Sequence, residues 1–92
     1  MAARDPEPRT LSAAHGVATE RRPAPDADLS LWLRCHLANA RMYEAVSDVD
    51  RWHHHEALYW ADYERRKADA VSSRIREVKP SWSGETSKSP TS

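Results

Sequence analysis

Four consecutive residues, His53-His54-His55-Glu56, are the densest concentration of metal-ligand chemistry in the sequence. Imidazole nitrogen and carboxylate oxygen both bind zinc and iron. Spacing limits what this run can do. Adjacent helical residues point about 100° apart, so three histidines in a row cannot meet at one ion. Helical ligand pairs need i,i+3 or i,i+4 spacing, and the run holds no His–His pair of that kind. His53 and Glu56 are i,i+3, and a second helix would have to supply the third ligand, for which His36 and His15 are the candidates. A zinc or iron site on His53, Glu56 and either His36 or His15 is therefore one reading. The favoured reading is plainer. His53 and Glu56 are half-buried and hydrogen-bond across a helical hairpin, His54 and His55 face solvent or a neighbouring helix, and no cofactor is expected.

Catalysis has less support than metal binding. Cys35 adjoins His36, but neighbouring helical side chains diverge, so the two cannot exchange a proton within one helix. A small buried thiol is the expected state of Cys35. Asp48, Asp50 and Glu56 resemble a carboxylate cluster, yet acids at 48 and 50 are also what the positive end of a helix favours. There is no Gly-rich phosphate loop, nucleophile elbow or HExxH pair. The chain is expected to be non-enzymatic.

The elements that must position these residues follow from where proline and glycine fall. The prolines are at 6, 8, 23, 25, 80 and 90 and the glycines at 16 and 84, so residues 26–79 contain neither. That stretch is the expected structural heart of one all-α domain, 10–79, between disordered segments at 1–9 and 80–92. A short helix is expected over 10–21, with Thr10 as N-cap and Gly16 weakening it by about 1 kcal/mol relative to Ala. Pro23 and Pro25 then break the chain. A second helix is expected over 28–46, capped by Asp26 or Asp28. Leu29, Trp32, Leu33, His36, Leu37, Ala40 and Tyr43 recur on it at helical spacing. Ser47 looks like the next N-cap. A third helix over 48–79, about 48 Å long at the helical rise, ends where Pro80 stops it. Its expected apolar face carries Val49, Trp52, His53, Tyr59, Trp60, Tyr63, Ala70, Val71 and Val78, with Leu58 pointing away. One unbroken helix over 26–79 is the alternative. A hairpin is preferred because it buries two stripes rich in Trp and Tyr.

A turn near 47 sets a register. It places Trp32 and Leu33 opposite Trp60–Tyr63 and brings His36 level with about residue 58. It also lets the second helix reach only to about residue 66. Ala70, Val71, Ile75 and Val78 are then left as an uncovered protein-interaction stripe, to be met by a second copy or another protein. Charge favours an antiparallel arrangement. Residues 42–64 hold six acids and one base, a net of −5, and residues 65–79 hold six bases and two acids, a net of +4. This order also suits the helix dipole. A nucleic-acid footprint in residues 64–79 is a third reading, opposed by the short basic patch and the acidic half beside it. Overall charge is balanced, with 14 Lys+Arg against 14 Asp+Glu, unlike a general polyanion binder.

Cys35 is the only cysteine, which rules out an internal disulfide and a cysteine-based zinc site. No apolar run approaches the length that spans a bilayer, and the first residues do not read as a signal peptide. A cytoplasmic location is expected. The 11 Arg against 3 Lys, the 14 Ala and the absence of Phe point to GC-rich coding.

The order Thr10-Leu11, Ala14-His15, Trp32-Leu33, Tyr43, Asp50-Arg51, HHHEALYWA at 53–61 and Glu64-Arg65 resembles a family of short, uncharacterised actinobacterial proteins. HHHEALYWA is its most specific element, and the resemblance spans residues 10 to about 70. It implies no activity and no catalytic or binding residues. It marks the histidine run as the first place to look, and its source agrees with the coding bias. The expected function is that of a small protein-interaction or regulatory module acting through helical surfaces.

Overall fold

A computed structural model describes residues 7–78. The expectations for disordered ends and for the stop at Pro80 lie outside this range, apart from residues 7–9. Three α-helices make up the described chain, with no strand among them: α1 Leu11–Glu20, α2 Leu29–Val49 and α3 His54–Val78. A single 3-10 turn, Arg51–His53, links α2 to α3. The fold is all-α, a hairpin of two long helices carrying a short N-terminal helix. None of the helices is long and apolar enough to cross a membrane.

Thr10 caps α1 as its residue type suggests. Its backbone is extended, and its hydroxyl accepts from the Ala13 N–H at 3.1 Å. Asp28 occupies the N-cap of α2 but makes no capping bond to the backbone, because its carboxylate accepts from the Ser30 hydroxyl instead, at 2.9 Å. The Trp32 indole N–H donates to the Ala24 carbonyl and ties α2 to the preceding turn.

The bend of the hairpin comes later than residue 47. Ser47 does not cap a helix. It is buried inside α2, and its hydroxyl donates back to the Glu44 carbonyl at 2.6 Å. Asp50 ends the helix, with a non-helical ψ of 83°. Its carboxylate accepts the Leu11 backbone N–H at 2.9 Å and lies 3.0 Å from His53 Nδ1. One acid thus fastens the start of α1 to the hairpin bend. The Leu11 N–H is one of the orphan donors of a helix start, which explains why a charge there is favoured.

Moving the bend moves the register. His36 lies opposite Glu64 rather than residue 58, with 2.7 Å between Nδ1 and Oε1. The seam between α2 and α3 also differs from the expected aromatic stripe. Ala57, Ala61, Glu64 and Ala68 are the buried residues of α3, at helical i,i+3 and i,i+4 spacing. Small side chains let two helices approach closely, whereas Tyr59 and Tyr63 would hold them apart, so both tyrosines are displaced to exposed positions. Leu58 points away from the seam as expected, and Leu33 is half-buried outside the core cluster. Around the seam, Leu11, Ala14, Met42, Tyr43 and Val46 complete the core, with Val17, Ala18 and Trp60 packed against it.

Two outcomes test this description. Gly16 is exposed, has no positive φ, and a Cβ added to it meets nothing within 4 Å. Gly16→Ala is therefore expected to stabilise by about 0.5–1 kcal/mol in thermal melts. The Asp50 carboxyl is held below the usual carboxylate range, first by the Leu11 N–H and then by His53. Its contribution is full above the ordinary Asp pKa of about 4 and is lost as pH falls through the lower folded value. Asp50→Asn should therefore melt below the unmodified protein at neutral pH, by a difference that shrinks in acid. A gap independent of pH would contradict this role for the charge.

Candidate functional site

The sequence singled out His53, Glu56, His36 and His15, and the fold separates them. His53 stays at the bend. Its Nδ1 faces Asp50, and its Nε2 is 4.0 Å from Glu56 Oε1. Both His53 and Glu56 are exposed rather than half-buried. Within the run it is His54 that bonds back to α2, its Nδ1–H donating to the Ser47 carbonyl at 2.7 Å. His55 is exposed and stands edge-on to His54. His36 and His15 do not join His53. The register carries His36 to Glu64, eight residues or about 12 Å along α3 from Glu56. His15 meets the Tyr43 hydroxyl at 2.7 Å. Among the described residues, no group of three or more His, Cys, Asp or Glu is placed to hold one metal ion.

What the register does assemble is a groove of about 530 Å³ where all three helices meet. α1 contributes His15 and Ala18, and Arg22 follows it. α2 contributes Trp32, Cys35, His36, Asn39 and Tyr43, and α3 contributes Trp60, Tyr63, Glu64 and Lys67. The aromatic rings interlock along it. His15 stands edge-on to Trp60, with centroids 5.1 Å apart, and Trp60 stands edge-on to Tyr63 at 5.3 Å. Trp32 leans on His36 at 5.8 Å. Trp32, Trp60 and Tyr63 thus share a groove as the hairpin required, though Trp32 meets His36 instead of the α3 aromatics.

Glu64 organises the electrostatics. It is buried on the seam and is the groove's only acid. Burial pushes the Tyr43 phenol up to about 12, and the Glu64 charge adds to it. The same two causes raise the Cys35 thiol, burial first. Cys35 is therefore a neutral thiol with little nucleophilic character. Its contact is the Asn39 amide, with Nδ2 3.6 Å from Sγ, and His36 is turned to Glu64 instead. No Cys–His dyad forms. Asn39 is itself buried, and its Oδ1 has no hydrogen-bond partner. A buried amide oxygen left unsatisfied costs about 1–3 kcal/mol.

The sequence reading missed Glu64, Asn39, Arg22 and Lys67. Two signals were present. Asn39 is the only asparagine and sits within the Ala-rich stretch of α2, and Glu64 continues the Ala57–Ala61–Ala68 spacing as the one charged member. In comparisons with known proteins, no family model matches the chain, and no curated protein or solved structure does.

The interaction stripe expected at the far end of α3 divides in two. Val71 and Ile75 are half-buried on the seam side, since the later bend lets α2 reach to about residue 71. Ala68 is buried there. Ala70 and Val78 are exposed. α1 lies at the bend end and covers none of these four positions.

The raised Tyr43 phenol gives a signed prediction. A group with a raised folded pKa contributes fully below its unfolded value, about 10, and loses that contribution as pH rises through the folded one. The stability difference between the unmodified protein and Tyr43→Phe should therefore narrow by about 2 kcal/mol between pH 10 and the folded value near 12. Denaturant melts across that range measure it, and a constant difference would show that the phenol is not sealed by Glu64 and burial.

Proposed function

We propose that this protein is a small non-enzymatic interaction module that pairs with a second copy of itself through the outer face of α3. The observation that carries the reading is the composition of that face. At 100° per residue, Glu56, Tyr59, Ala70 and Arg74 fall together on the side away from the alanine seam. Tyr59 is 62% exposed, more aromatic surface than an unpartnered α3 has reason to leave in water.

Charge indicates the partner. Within α3, residues 54–64 carry a net of −3, the buried Glu64 included, and residues 65–78 a net of +3. Two α3 helices running antiparallel about residue 65 set each basic half beside the other's acidic half. In that register Glu56 faces Arg74, and Tyr59 lies over the small Ala70. The exposed charges contribute mainly to orientation and selectivity, while Tyr59 and Ala70 supply the apolar contact. The interaction surface is thus centred on Tyr59 and Ala70, with Val71 and Ile75 serving the hairpin.

The neutral Cys35 thiol and the engagement of His36 and His15 by Glu64 and Tyr43 support a binding role over a catalytic one. Sedimentation at micromolar concentration is the test. The unmodified protein should be a dimer whose affinity weakens modestly as salt is raised. Tyr59→Glu combined with Ala70→Glu should be a monomer of unchanged helicity. A monomer for the unmodified protein would reject the reading.

A further inference from the structure

The outer face of α3 leaves the groove between the three helices without a role. Its volume of about 530 Å³ lies inside the range of about 300–1,000 Å³ typical of small-molecule sites. We propose that this groove binds a small planar aromatic acid bearing a ring N–H donor.

Each part of that ligand answers a feature of the groove. Trp32, Trp60 and Tyr63 line it with aromatic surface, which a flat ring fills by stacked or edge contacts. Asn39 also lines it, is 3% exposed, and holds an amide oxygen with no partner. A ligand N–H is the complement of that oxygen. Asn39 has a single side-chain contact, Nδ2 to Cys35 Sγ, so the end of its amide left unpaired is the acceptor oxygen.

The acid follows from the charges. Arg22 and Lys67 line the same groove and are exposed. Neither has a carboxylate within ion-pair distance among the described residues. Lys67 instead holds its ammonium 5.3 Å from the centre of the Tyr63 ring, against the aromatic wall. The groove's own carboxylate, Glu64, is engaged by His36. An anionic group on the ligand would therefore meet two unopposed cations.

Titration calorimetry of the full chain with indole-3-acetate tests the proposal, beside indole, which lacks the acid, and 1-methylindole-3-acetate, which lacks the donor. Saturable one-to-one binding of indole-3-acetate is expected, with each analogue weaker by about tenfold or more. Arg22→Ala with Lys67→Ala changes two exposed side chains and should reduce affinity for indole-3-acetate to that for indole. Asn39→Leu removes the unpaired oxygen. It should raise the melting temperature and abolish discrimination against the methylated analogue. No saturable binding of indole-3-acetate at millimolar concentration overturns the proposal. So does an affinity unchanged in the Arg22/Lys67 variant, which remains informative if Asn39→Leu does not fold. None of these substitutions touches Tyr59 or Ala70, so the outcome is separate from that of self-association.

Discussion

The close approach of α2 and α3 along Ala57, Ala61 and Ala68 is the constraint on which the rest of the structure depends. Alanine at every seam position of α3 but one leaves no room for an aromatic ring between the helices. The large side chains must go to the flanks. On one flank Trp60 and Tyr63 turn toward α1 and α2 and form a wall of the groove. On the outer side Tyr59 is left in solvent. The groove and the exposed outer face are two consequences of one packing choice.

Glu64 is the exception within the seam, and its effects reach several neighbours. A buried carboxylate is costly unless it is paired, and His36 supplies the pair. Such a pair fixes register more than it adds stability, because sliding the helices past one another would strand the charge. The same charge helps to keep Tyr43 and Cys35 in their neutral forms. It thereby makes the groove a place of hydrogen bonding and stacking, without an activated nucleophile.

Packing is uneven along the hairpin. Leu11, Met42, Tyr43 and Val46 gather near the bend, where α1 is docked and Asp50 holds its first N–H. Towards the open end Ala68 is the last buried residue of α3, and an alanine contributes little apolar area. Local opening should therefore begin at that end. Glu44 and Arg65 cross the hairpin nearer its middle, as exposed partners that add little against such opening.

Local chemistry settled much of this protein in the sequence alone. The absence of Pro and Gly over 26–79 made the long helices, Thr10 capped the first, and the prolines at 23 and 25 separated it from the second. These are interactions among neighbours in the chain, so they are legible without a fold. The bend was not legible to the residue. Ser47 and Asp50 are both good helix ends, and the choice fell to Asp50 because Leu11, 39 residues earlier, supplies an N–H to it. That shift of a few residues changed which side chains face each other. It moved His36 from the neighbourhood of Glu56 to Glu64 and separated the histidines that spacing had grouped. The seam was equally undecided by periodicity. The aromatic stripe and the alanine stripe repeat with the same helical period, and only the distance between two packed helices distinguishes them. Asn39, Arg22 and Lys67 share no pattern in the sequence. Three helices had to pack before these residues lined one groove.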